Sequence, residues 1–343
     1  MTQYAEILAV GARTPVGLTA ESAAAAIRAG VSRLGDHPFL VDGAGEMVRV
    51  ARDARLDPLL LGASRMAPIA LSAVSESLAK LPAAELGPLA LLLVLPETRP
   101  GFSDQDAAEV TRGLVAALPP AISRVEVVGR GHAGGLQALA AARQRVERDA
   151  GAVVIVGVDS YLDPRTLEWL ESDRRLASAD TRAGFTPGEA AGALIVASEA
   201  LRRRIGAAPL ARIRGAASAS ESQTIHSEGE VLGVGLAAAI AGALRGLALP
   251  DERADAIYCD INGERYRSEE WGFAALRLGE SLRDSAYETS TDGWGDVGAA
   301  SGVLGCVLAA QAWARGCAAG PRALVWAGSE SGLRGAAVLE KVE

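Results

Sequence analysis

Two segments of the chain repeat one pattern: a glycine turn, a long helix of small residues, then an apolar strand that ends in a polar loop. The first is "GHAGGLQALAAA…AVVIVGVDS" and the second is "GDVGAASGVLGCVLAA…ALVWAGSES". His132 and Asp296 hold the same place in the two copies, the first turn of the helix. The pattern predicts a duplicated fold whose two helix starts point at one centre.

Strands and helices alternate around these segments. "AEILAVGARTPVGL" reads as a strand and a Gly/Pro turn, after which Thr19 caps a helix that Gly30 stops. Residues 31–55 read as irregular or hairpin-like. Apolar residues at helical spacing mark a helix over 65–80. "LALLLVLPE" is a continuous apolar run, suited to a strand buried on both faces. A helix near 104–118, the strand "ISRVEVVGR", a helix reaching Arg148 and the strand "AVVIVGVDS" follow. From Pro209 the pattern restarts with the strand "LARIRGAAS", a helix near 231–247, the strand "DAIYCDING" and a helix near 269–282. A loop, "TSTDGWGDVG", a long helix over 296–316 and two closing strands complete it. Such alternation is α/β. At 343 residues the chain is long enough for two units, expected at 1–205 and 206–343.

Composition narrows the function classes. Hydrophobic residues make up 49% of the chain, with 39 glycines, which favours closely packed sheets and helices over disorder. A formal charge of −8 gives no support to binding nucleic acid. The arginines at Arg174–Arg175 and Arg202–Arg204 read as solvated helix ends. Three cysteines, Cys259, Cys306 and Cys317, form neither a CxxC nor a zinc spacing, and three histidines argue against a His-rich metal site. No metal or cofactor is indicated. The most apolar long stretch, Val297–Gly316, is interrupted by Gly, Ser and Gln and reads as a buried helix, not a membrane span. With no basic n-region and apolar h-region ahead of the first strand, a cytoplasmic protein is expected.

Four segments, in order along nearly the whole chain, resemble the β-ketoacyl-acyl-carrier-protein synthases, the condensing enzymes of the thiolase-like fold. "VGARTPVGLTAESAAAAIRAGVS" is similar to their opening strand, turn and helix. "RRLASADTRAGFTPGEAAGALIVASEALRRRIGAAPLARIRG" resembles their Arg-Pro-Phe-Asp…Gly-Phe-x-x-Gly-Glu-Gly-Ala-Gly stretch and the linker to the second half. "DGWGDVGAASG" is like their Gly-His-x-x-Gly-Ala-Ala-Gly segment, and "GSESGLRGAAVL" like their closing glycine loop and last strand. The resemblance implies a five-layer αβαβα fold of two pseudo-repeated halves. It also implies pairing of two chains through an added edge strand, here Arg124–Val128, as a homodimer or as a heterodimer with an active synthase.

Members of that family work with a Cys and two His: a thiolate at a helix start takes the acyl group, and the histidines stabilise an enolate. Aligned residue by residue, the cysteine position holds His132, the first histidine becomes Asn262 in "NGERYR", and the second becomes Asp296. The family's lysine falls near Thr291 with a one-residue gap, and Arg334 and Ala337 replace a Gly and an Asn of the last loop. Acyl-imidazoles hydrolyse readily, so His132 holds no stable acyl intermediate. Asp296 brings negative charge to where an enolate would develop. The family's oxyanion hole maps to backbone N–H groups at His132 and around Leu333, with Gly335 and Phe185 as further substrate-binding positions. Cys259 reads as a structural buried thiol.

The expectation is a catalytically inactive ketosynthase homologue serving as an accessory or scaffold protein, as chain-length factors do. "NGERYR…EWG" also looks like ketosynthase-like proteins encoded near type VI secretion adaptors and effectors. The polar, aromatic Gly263–Gly272 segment, read as a loop, is the expected protein-binding surface. The alternative is an acyl hydrolase or acyltransferase using His132 and Asp296, for which an acyl or pantetheine ligand must reach His132. Trp294 or Arg334 plugging the tunnel favours the scaffold.

Overall fold

The computed structural model describes residues 4–342. In chain order the first half is β1 (Ala5–Arg13), α1 (Ala20–Arg28), β2 (Leu34–Val41), β3 (Met47–Ala51), α2 (Gly62–Ala79), β4 (Leu89–Leu95) and α3 (Asp104–Ala117). It continues with β5 (Ile122–Arg130), α4 (Gly134–Asp149), β6 (Ala152–Ser160), α5 (Pro164–Ser172), β7 (Glu189–Ser198) and α6 (Glu199–Arg204). The second half is β8 (Ala211–Ser220), α7 (Val234–Leu244), β9 (Ala256–Cys259), α8 (Arg265–Leu278) and β10 (Glu288–Thr289). It ends with α9 (Thr291–Trp294), α10 (Ser301–Ala314), β11 (Arg322–Gly328) and β12 (Leu333–Glu340).

Local signals act as the sequence predicts. Thr19 accepts a hydrogen bond from Ser22 N–H in a capping box, and 31–55 form the β2–β3 hairpin. β4 is buried along its whole length, as an apolar run without alternation requires.

The strands form one ten-stranded sheet in the order β10-β9-β11-β12-β8-β1-β7-β6-β4-β5. Two five-stranded sheets meet in it at β1 and β8, which pair only through Glu6–Arg212 and Ile7–Ala211. Outward from that junction the two sides run β1-β7-β6-β4-β5 and β8-β12-β11-β9-β10. Both begin with two antiparallel contacts and end with two parallel ones. Helices α4 and α10 lie between the sheets, packed on strands of both. Helices α2 and α3 cover the outer face of the first sheet, and α7 and α8 that of the second. The result is the five-layer αβαβα arrangement.

Close approach of helix to sheet explains part of the glycine content. A Cβ on Gly11 of β1 would lie 2.0 Å from the carbonyl oxygen of Ala73 in α2. One on Gly215 of β8 would lie 2.0 Å from that of Ala243 in α7. Only glycine lets the backbones meet at these two points.

Two expectations are corrected. The Gly263–Gly272 segment is chiefly the first two turns of helix α8, not a loop. Glu264, Arg267, Trp271, Ala274 and Leu278 recur at alternating spacings of three and four, fall on one face, and are all buried. Arg175, expected at a solvated helix end, is buried and paired with two carboxylates.

Candidate functional site

The chain leaves β5 at Arg130 and enters α4 at Gly134, which places His132 at the mouth of the central layer, 2% exposed. Asp296 is set opposite by backbone pairing: its N–H donates to Thr186 C=O at 2.8 Å, and Gly188 N–H donates to its C=O at 2.7 Å. One Asp296 carboxylate oxygen also accepts the Gly298 N–H at 2.8 Å, an Asx turn just ahead of the short helical turn that leads into α10. The two helix starts thus meet side chain to side chain.

His132 Nε2 lies 2.8 and 3.1 Å from the two Asp296 oxygens. Asn262 Nδ2 donates to Asp296 at 2.6 Å, and Asn262 Oδ1 accepts the Glu264 N–H at 3.0 Å. The three positions aligned with the family's catalytic residues form one contiguous buried cluster. Arg267 completes it from α8, with Nη2 3.4 Å from His132 Nε2 and Nη1 2.9 Å from Asp260 Oδ2. Behind it, Arg175 donates to Glu264 at 2.7 Å and to Glu330 at 2.7 Å.

This network sets the charge states. Burial opposes the imidazolium, but the adjoining Asp296 carboxylate outweighs it, and His132 titrates above its ordinary range. Burial likewise favours a neutral Asp296, yet His132 and Arg267 hold its carboxyl well below the usual carboxylate range. Against burial, hydrogen bonds from Arg175 hold Glu330 down at about 2. The centre thus holds the His132 imidazole, biased toward its protonated form, against the Asp296 carboxylate, with the Arg267 guanidinium beside the imidazole.

A cavity of ≈ 510 Å³ opens beside the cluster, lined by His132, Arg99, Tyr161, Trp169, His226 and Glu330 among others. Its size falls in the range of small-molecule sites. His132 Nδ1 has no hydrogen-bond partner among the described residues. Arg99 is clamped to Asp159 at 2.6 Å and stacks over the Tyr161 ring at 4.0 Å, so the wall is rigid.

The other sequence-predicted positions lie elsewhere. Leu333 offers its carbonyl to Ser329 N–H at 2.8 Å, Gly335 packs its backbone against Ala133 and Leu136, and Phe185 sits edge-on behind Tyr161 with ring centres 5.5 Å apart. None of the three lines the cavity, nor do Trp294 and Arg334. Arg334 turns instead to Glu270 at 2.6 Å. Thr291 bonds the Ile261 carbonyl, and burial pushes the Cys259 thiol far up, as for a structural residue. Sequence reasoning missed Arg267, Glu264, Arg175 and Glu330. The helical spacing of Glu264 and Arg267 with Trp271 was the available signal.

No helix among the described residues is long and apolar enough to cross a membrane. No family model matches the chain, nor does any curated protein sequence. Solved structures do match it. One is a chain of the complex between a type II polyketide synthase acyl-carrier protein and its ketosynthase bound to the hexaketide, at TM-score 0.81 and 15% identity over 100% of both chains. The ishigamide ketosynthase/chain length factor matches at TM-score 0.79 and 17% identity, again over 100% of both. A β-ketoacyl synthase from Burkholderia phymatum matches at 0.77 and 13% over 99% of this chain and 100% of that one. Identities this low carry the architecture alone, and on that ground the chain has the thiolase-like ketosynthase fold.

Proposed function

We propose that this protein is a non-condensing ketosynthase homologue that works as an accessory or scaffold partner. The observation that carries the reading is the closed His132–Asp296–Asn262–Arg267 cluster. Condensation needs a nucleophile that holds an acyl group and a cationic or donor-rich site for an enolate. Here the nucleophile seat holds an imidazole that Asp296 biases toward its protonated form, in which neither ring nitrogen keeps a lone pair to attack with. The enolate position holds an ionised carboxylate. The cavity beside them fits an acyl or pantetheine arm held without turnover. Similarity to an acyl-carrier protein–ketosynthase complex and to a ketosynthase/chain length factor supports a partner role. Strand β5, at the sheet edge with Val127 exposed, is the proposed pairing element, through Arg124–Val128, with a second copy or an active synthase. The wider assembly is an active synthase system or a type VI secretion-type machine.

A second reading is favoured by the cavity itself, since neither Trp294 nor Arg334 fills it. Once His132 loses its proton, Nδ1 becomes a base or nucleophile facing an acyl ligand, and the protein is a hydrolase or acyltransferase. Intact-mass spectrometry after incubation with acyl-CoA and acyl-carrier-protein thioesters, with thioester loss followed in parallel, separates the two. The scaffold reading expects no adduct and no loss at any pH up to 9. Cleavage that grows with pH and disappears in His132→Ala replaces it with the second reading.

A further inference from the structure

A second cavity, of ≈ 490 Å³, lies between strand β3 and the 176–181 segment and shares no lining residue with the His132 cavity. Strand β3 pairs along one side with β2, and its other side is taken only at its end, by a bridge from Ala51 to Gly188. Its N–H groups alternate in direction. Ala51 N–H donates away from β2, to Pro187 C=O at 2.8 Å, so the backbone groups of Arg49 and Met47 point the same way, into the slot. The Val41–Met47 pair agrees: its bond runs from Asp42 N–H to Glu46 C=O at 2.8 Å and leaves Met47's own groups outward. The far wall is the Ser178–Thr181 turn, closed on itself by reciprocal backbone bonds of 3.3 Å. The floor is apolar, with Val48 and Leu176 in a small cluster under the hairpin. The rim carries five carboxylates, Asp36, Asp42, Glu46, Glu171 and Asp180, against two guanidiniums, Arg49 and Arg174.

An open strand edge over an apolar floor recruits a strand, and an acidic rim selects its charge. We propose that this slot docks an extended, positively charged segment of a partner protein, which adds to β3 as a third strand of the hairpin. Its main chain bonds the Met47 and Arg49 backbone. Alternate side chains fall on the apolar floor, and the others bring Lys or Arg to Asp36, Glu46 and Asp180. None of those three acids forms an ion pair among the described residues, so they remain available.

The test pans the full chain against a displayed octapeptide library and measures the enriched peptide by fluorescence anisotropy. Enriched sequences should alternate Lys or Arg with Val, Ile or Thr. N-methylation of alternate backbone amides in the peptide should weaken binding roughly tenfold or more, because it removes main-chain donors without altering the protein. The combined substitution Asp36→Asn, Glu46→Gln, Asp180→Asn should weaken it by a similar factor. Hydrogen exchange should show the Met47 and Arg49 amides newly protected by the peptide. No enrichment, enrichment of acidic or proline-rich sequences, or affinity untouched by N-methylation overturns the proposal. So does loss of peptide binding as the chain self-associates, which would make a second copy the occupant.

Discussion

The two sides of the β1–β8 junction have the same strand order, yet they differ where they meet other molecules and where they meet each other. At the outer edge the first side ends in β5, nine residues long, while the second ends in β10, two residues long. At the centre, His132 from the first side has one carboxylate partner, whereas Asp296 from the second gathers His132, Asn262 and the Gly298 N–H. A duplicated topology has therefore kept its skeleton and divided its tasks: one side offers an edge, the other anchors the charge.

The sharpest way to break this contrast is to empty the hub. Asp296→Ala removes the carboxylate that favours the His132 imidazolium, leaves the imidazole 3.4 Å from the buried Arg267 guanidinium, and takes one of the two carboxylate acceptors from the Asn262 amide. Removing one member of a buried ion pair typically costs about 3–5 kcal/mol. We expect a loss of that size in urea unfolding. His132→Ala should lose clearly less, because Asp296 retains Asn262, Gly298 and the field of Arg267. Equal losses would mean that the two helix starts contribute symmetrically.

Next in size is a test of what the sides share. Gly11→Ala and Gly215→Ala each drive a methyl to 2.0 Å from a helix carbonyl oxygen. Overpacking of this kind costs about 1–3 kcal/mol, and the two losses should agree closely. A large loss at one glycine and none at the other would show that only one helix–sheet contact is truly tight.

These glycine contacts also mark how far the sequence could be read. Periodicity and turn residues were enough for most strands and helices, because those signals are local, but not for α5, β7 and α6 or for the first turns of α8. His132 and Asp296 stood out as the first turns of the two repeated helices, and Asn262 was placed by resemblance. The inner charged shell was not. Glu264 and Arg267 read as part of a protein-binding surface and Arg175 as a solvated helix end, since charged residues are usually exposed. Their burial depends on partners far along the chain, Arg175 on Glu264 and Glu330, at separations of 89 and 155 residues. Leu333, Gly335 and Phe185 were placed by resemblance, and the cavity in this chain is walled instead by Arg99, Tyr161 and Trp169.

The contrast between the edges predicts a smaller, directional effect. Val127 is 47% exposed on β5, whose outer side is unpaired. If β5 is the pairing strand, Val127→Asp places like charges face to face across a two-fold axis and should weaken self-association about tenfold by sedimentation velocity. Thr289→Asp on the two-residue β10 should leave it unchanged. The reverse result moves the interface to the second side.

The smallest effect is the pH dependence of the central pair, and its sign follows from the two titrations. The folded-state pKa of His132 is raised above 6.5, so its contribution is complete below that value and fades as pH rises through the folded pKa. Asp296 is depressed, so its contribution is complete above 3.8 and is lost only as acid reaches its much lower folded value. Between these limits the ion pair is whole. The stability gap between the wild-type chain and His132→Gln should therefore be widest near pH 6 and narrow steadily toward pH 9, read from urea midpoints at each pH. The first side's helix start thus titrates above the ordinary imidazole range, while the second side's stays ionised down to strong acid. A gap that is flat from pH 6 to 9, together with a ring-nitrogen NMR shift of a neutral imidazole at pH 6, would mean the imidazole has already lost its proton, which would restore a lone pair to Nδ1 and favour the hydrolase reading over the scaffold.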